Sequence, residues 1–157
     1  MNKSLLTLAI AAMLWNLLPP HAAGAQLLSP ANKAQRVKIT KGPELEIASD
    51  YLTIIRWTTT NPGGADEHYG VVQYGTDPKD LNQTAKTSIR LNRGHPETVF
   101  RVRILGLKPR TTYYYTVTSM ESGGESDGEK SSVNKFTTPG PGERIIADPA
   151  PPVPKPK

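Results

Sequence analysis

The sequence between residues 36 and 139 predicts an all-β fold, an antiparallel β-sandwich. Three observations point there. Short runs of alternating apolar and polar residues follow one another; the gaps between them carry Gly, Pro, Asn or Asp turn chemistry; and no helical period runs beyond a single turn. At 157 residues and 36% hydrophobic, the chain can bury one core of modest size.

Residues 36–40 and 44–48 flank Lys41-Gly42-Pro43 and read as one bent edge strand. Residues 51–59 form the next run, closed by Asn61-Pro62-Gly63-Gly64. Counting back by two from Trp57 selects Ile55 and Thr53 and strands Leu52 and Ile54 on the other face, so a bulge near Ile54 is expected. Residues 69–75 direct Gly70, Val72 and Tyr74 inward, and Thr76-Asp77-Pro78 turns the chain. Residues 84–91 lead into Asn92-Arg93-Gly94-His95-Pro96. In residues 98–105, Phe100, Val102 and Ile104 share the inward face while Arg101 and Arg103 point to solvent. In residues 112–120, Tyr113, Tyr115 and Val117 line up against Tyr114, Thr116 and Thr118; Gly123-Gly124 opens a loop, and residues 132–138 complete the sandwich.

The flanks are of another kind. Lys3, an apolar run over residues 5–18, the helix-breaking Pro19-Pro20 and the small residues Ala23-Gly24-Ala25 make residues 1–25 a signal peptide, with cleavage expected before Gln26. The run is too short to span a bilayer, so no transmembrane segment is expected after cleavage. Residues 26–35 read as a flexible N-terminal segment. Residues 139–157 hold seven of the 15 prolines, which rules out a helix or central strand. Residues 140–157 are accordingly expected to be a disordered Pro-rich tail, an extended spacer of polyproline II character. The expected location is secreted or periplasmic.

Composition narrows the chemistry. The chain has no cysteine, which excludes disulfide staples, thiolate zinc sites and a cysteine nucleophile, and its three histidines include His21 in the leader. Loss of Lys3 takes the net charge from +5 to +4. Residues 86–110 carry seven basic side chains against Glu97 alone, whereas residues 121–129 carry four acids and no base. After export, a basic face would meet an anionic envelope polymer or lipid headgroups and not nucleic acid. The alternative is that these Arg and Lys residues guard solvated strand edges against pairing. No serine is expected in a Gly-x-Ser-x-Gly nucleophile elbow, and no phosphate-cradling glycine loop is present. Asn82-Gln83-Thr84 spells a glycosylation sequon.

Several of these residues carry a resemblance. Trp57, the run Val72-Gln73-Tyr74, the pattern Leu107-x-Pro109-x-Thr111-x-Tyr113 and Phe136-Thr137-Thr138-Pro139 resemble the fibronectin type III pattern within the immunoglobulin-like sandwiches. The resemblance implies that Trp57, Tyr74, Leu107 and Tyr113 are core markers, with Tyr113 forming a tyrosine corner. More narrowly, Tyr74-Gly75-Thr76-Asp77-Pro78 and the triplet Tyr113-Tyr114-Tyr115 resemble the N-terminal domain of purple acid phosphatases. In that family the chemistry resides in a separate metallophosphoesterase domain, whose Gly-Asp-x-x and Gly-Asn-His-Glu motifs do not occur in these 157 residues. Phosphatase activity, its metals and any other cofactor are therefore not expected here.

One cluster has chemical potential. In such a sandwich the loops at residues 61–68, 92–96 and 121–129 emerge at one end, which brings His68, His95, Asp66, Glu67, Glu125 and Asp127 into the same region. They form a candidate weak divalent-cation or polar-ligand site, against the plainer expectation of three hydrophilic loops that meet nothing. Two functions fit the whole. One is a secreted, non-catalytic module that binds a protein or an anionic envelope polymer, or acts as a spacer. The other is an accessory or detached domain working with a separate catalytic phosphatase chain.

Overall fold

The computed structural model describes residues 33–34 and 36–147; the leader, most of the 26–35 segment and the tail from residue 148 lie outside the described residues. Eight strands follow in order: β1 Ile39–Ser49, β2 Leu52–Thr60, β3 Glu67–Gly75, β4 Gln83–Arg90, β5 Glu97–Leu105, β6 Thr112–Glu121, β7 Asn134–Thr137 and β8 Arg144–Ile146. They form two four-stranded antiparallel sheets, ordered β5-β2-β1-β8 and β4-β3-β6-β7.

Period-two alternation places the core between them. Ile55, Trp57, Phe100, Val102 and Ile104 face in from the first sheet; Val72, Tyr74, Tyr113, Tyr115, Val117 and Phe136 face in from the second. Gly70 faces in as well. A Cβ there would lie 3.0 Å from Trp57 Cη2 and 3.0 Å from Val102 Cγ2, so glycine is the residue that lets the indole lie against β3. Burial pushes the Tyr115 phenol up to about 12, leaving a neutral ring that packs on Phe136.

Tyr113 forms the corner that its motif implies. Its ring is buried against Phe136, and its hydroxyl oxygen accepts a hydrogen bond from Lys108 N at 3.0 Å. Leu107, half-buried, packs on the margin of the core. Tyr113→Phe should keep the ring and orphan the Lys108 amide, at a cost of about 1–3 kcal/mol in chemical denaturation. An unchanged urea midpoint would remove the corner from the account of stability.

Three expectations need correction. The bulge lies beside Ile54 but on the partner strand: Leu45 faces Ile55 and Ile47 faces Ile54, which leaves Glu46 as the extra residue of β1, while β2 pairs with β5 without interruption. Leu52 and Ile54 need no bulge in their own strand. They point outward, and Ile54 is in one row with Ile47 and Ile146. Second, β1 is an edge strand along only part of its length, because Ile47, Ala48 and Ser49 pair with β8. That strand lies in the segment expected to be a disordered tail: prolines dominate residues 139–142 and the end of the chain, but Arg144-Ile145-Ile146 between them can extend and hydrogen-bond. Third, the N-terminal segment is docked at its end, where Ala34 N donates to Pro62 O at 2.8 Å.

Candidate functional site

The loops β2–β3, β4–β5 and β6–β7 do meet at one end of the sandwich. Asn61 N donates to Pro96 O, Leu91 N to Asp66 O, and Ser122 N to Glu67 O. Within that end the candidate residues separate into a buried group and a rim.

The buried group is centred on His68, the second residue of β3, whose side chain is wholly enclosed. Its Nδ1 lies 2.9 Å from Asp127 Oδ2, and its Nε2 donates to the backbone carbonyls of Gly63 at 3.0 Å and Ala65 at 3.1 Å. Asp127 is held from both sides: its amide donates to Ser119 O, and its carbonyl accepts from Val37 N. Its second carboxylate oxygen, Oδ1, is buried without a hydrogen-bond partner among the described residues. Glu121, the last residue of β6, is paired in register with His68 and completes a group whose ligand atoms all lie within 4.8 Å of one another. Its carboxylate crosses Gly64, where φ is +70° and a Cβ would collide with Oε1.

The rim is made of exposed ion pairs. Lys33 Nζ lies 3.0 Å from Glu125 and 3.2 Å from Glu121, and its hydrogen bond to Glu125, then that to Glu121, holds the ammonium above its ordinary value. Asp66 pairs with Arg93 at 2.7 Å. His95 stays outside the group, its Nδ1 occupied by the backbone of Glu97, and Glu67 is exposed. Of the six side chains that the sequence places at this end, His68 and Asp127 are therefore joined, while His95, Asp66, Glu67 and Glu125 stay on the rim.

Sequence reasoning missed Glu121 and Lys33. The period that set Gly70, Val72 and Tyr74 inward reaches His68 one step earlier, and the period of Tyr113, Tyr115 and Val117 reaches Glu121 two steps later. Nothing in the pattern marks Lys33. The pentad Gly124-Glu125-Ser126-Asp127-Gly128 does spell Gly-x-Ser-x-Gly, contrary to the expectation that no serine sits in that motif. It lies in the β6–β7 loop with no helix after it, and Ser126 Oγ accepts a hydrogen bond from Gly128 N, so the elbow geometry is absent there.

Residues 49–138, more than half of the chain, match the family described as purple acid phosphatase, N-terminal domain. The chain belongs to that family. The match to the purple acid phosphatase N-terminal domain takes in β2 to β7, and with them His68, Glu121 and Asp127; β8, Lys33 and nearly all of β1 lie beyond it. The two antiparallel sheets, the Tyr113 corner and the family match together make the fold fibronectin type III-like. Among solved structures, the sensor domain of the anti-sigma factor RsgI4 from Pseudobacteroides cellulosolvens is 20% identical, with a TM-score of 0.47 over 76% of this chain and 89% of that one. The fn3 domain of human contactin 1 is 14% identical, with a TM-score of 0.44 over 77% and 92%. The FN5 domain of Drosophila Lar is 18% identical, with a TM-score of 0.36 over 62% and 92%. No curated protein matches the chain.

Proposed function

We propose that the chain is an exported, non-catalytic β-sandwich module that binds a protein or an anionic polymer at or beyond the cell envelope, or spaces other parts there. One observation carries this reading: the chemistry-bearing side chains at the loop end are engaged with one another. His68 and Asp127 are buried together, Asp66 is paired with Arg93, and Glu125 with Lys33. Such an arrangement builds a rigid end to a module and offers no open nucleophile or acid–base pair. The leader supports export. Arg101 and Arg103 on β5, with Lys86 and Arg90 on β4, give the adjoining edges of the two sheets a basic character suited to anionic polymers.

The family match favours a second reading, an accessory domain of a metallophosphoesterase whose catalytic part is a separate chain. The outward row Ile47, Ile54 and Ile146, with Leu52 and Leu105 paired beside it, is the apolar surface that such a partner would cover.

Export and assay of the isolated protein test the proposal together. N-terminal sequencing should begin at Gln26, and the purified protein should hydrolyse a generic phosphomonoester no faster than buffer, with iron, zinc or manganese added. Phosphate-ester hydrolysis needs a preorganised centre worth far more than about 10 kcal/mol of barrier, and the side chains described above do not assemble a two-metal clamp. An intact Met1 in washed membranes would overturn export. Metal-dependent turnover that co-purifies and is lost in His68→Ala/His95→Ala would overturn the non-catalytic reading.

A further inference from the structure

We propose that His68 Nδ1 and one carboxylate oxygen from each of Asp127 and Glu121 form a three-donor seat for a divalent first-row transition-metal ion. The inference goes beyond the module's proposed role and holds whether the protein binds or spaces.

It begins with the tautomer of His68. Nε2 faces the carbonyl oxygens of Gly63 and Ala65, which only accept hydrogen bonds, so Nε2 carries a proton. A neutral ring then leaves a lone pair on Nδ1. That lone pair is 2.9 Å from Asp127 Oδ2, also an acceptor, with both side chains shut off from solvent. Two buried lone pairs do not face each other at that distance with nothing between them. The gap requires a cation, and the candidates are a second proton or a metal.

Two observations favour the metal. Asp127 Oδ1 has no hydrogen-bond partner among the described residues although its side chain is only 1% exposed, so half of this carboxylate keeps lone pairs that a proton on Nδ1 leaves unused. Glu121 supplies a third ligand atom, and all three lie within 4.8 Å of one another. A proton shared between His68 and Asp127 needs no second carboxylate; a divalent ion does. Donors at about 2.0–2.2 Å from one zinc ion are separated from each other by roughly 3–3.5 Å, so the His68–Asp127 spacing needs little adjustment and Glu121 a small swing. The carbonyls behind Nε2 are the outer-shell acceptors that fix ring orientation in histidine-ligated metal sites.

The donor set also selects the ion. One imidazole and two carboxylates suit zinc or a neighbouring transition metal, whereas calcium calls for six to eight oxygens. Lys33, paired with Glu121, lies over the outer side of the group, where an incoming ion displaces its ammonium from that carboxylate.

The test uses the full mature chain, freed of metal by chelator and titrated with zinc alone, with calorimetry and nitrogen-15 NMR of the histidine rings as readouts. Saturable binding of one equivalent is expected, with the Nδ1 resonance of His68 moving and that of His95 staying in place. Glu121→Gln should keep the metal-free melting temperature and weaken zinc at least tenfold, whereas His95→Gln should bind as the parent does. A His68 ring that stays protonated on both nitrogens as zinc is added would identify the cation as a proton and overturn the proposal. Binding abolished by His95→Gln and retained by Glu121→Gln would overturn it too, as an adventitious ion at an exposed ring.

Discussion

Trp57→Ala is expected to cost about 3–5 kcal/mol of stability. The indole is 1% exposed and stacks on Phe100 with centroids 5.3 Å apart and planes inclined by 19°. What faces it across the core is Gly70, chosen for having no side chain. The hole left by alanine therefore opens toward backbone, which cannot rotate into it as a neighbouring Leu or Ile would, and residual cavity volume sets the size of the penalty. Trp57 Nε1 makes no hydrogen bond among the described residues, so Trp57→Phe should cost markedly less; the loss belongs to volume and not to a polar contact. Urea denaturation of both variants measures the difference. Equal midpoints for the alanine variant and the parent would mean that the core is centred elsewhere.

The second large effect is expected at the loop end. Asp127→Ala should cost about 3 kcal/mol, the upper scale for leaving a buried polar group without its partner, because His68 keeps its burial and loses the group facing Nδ1. The aspartate also links separate parts of the chain through its backbone, to Val37 ahead of β1 and to Ser119 in β6. Asp127→Asn, which keeps the shape and an acceptor oxygen, should recover part of the loss. Thermal melts of the three proteins, with backbone NMR shifts at Val37 and Gly63, measure it. A loss no larger than that of an exposed ion pair, about 1 kcal/mol or less, would show that the loops are held together by their backbone hydrogen bonds.

Much of this was legible in the residues, for a physical reason. An alternating strand states its own inward face, so Phe100, Val102 and Ile104, or Tyr113, Tyr115 and Val117, are readable without any partner in view. The same count carried to the strand ends finds His68 and Glu121 on the inner face, although the loop residues that flank them carry turn chemistry. What alternation does not encode is which strand absorbs an irregularity. Leu52 and Ile54 disturb the pattern of β2, yet the extra residue is Glu46 in β1, because register belongs to a pair of strands. Nor does composition reveal a three-residue strand between prolines, since β8 exists only through its hydrogen bonds to β1. Lys33 reaches Glu121 and Glu125 across 88 or more positions of chain, a contact no local signal announces.

The attachment of β8 has a mechanical meaning. On the N-terminal side, Val37 is buried and its amide is bonded to Asp127, so a pull on that end acts directly on packed structure. On the other side the last described residue, Ala147, follows a strand of three exposed residues and is held by its amide's bond to Glu46 O. Antiparallel pairing lets tension on the tail open those bonds singly, from Ala147 back toward Arg144, in place of loading them together. The sandwich thus has a weak clasp at one end and a firm anchorage at the other. Stretched between two attachments, it would lengthen first by releasing β8, at a force well below that needed to separate β1 from β2, and could re-form the clasp when slack returned.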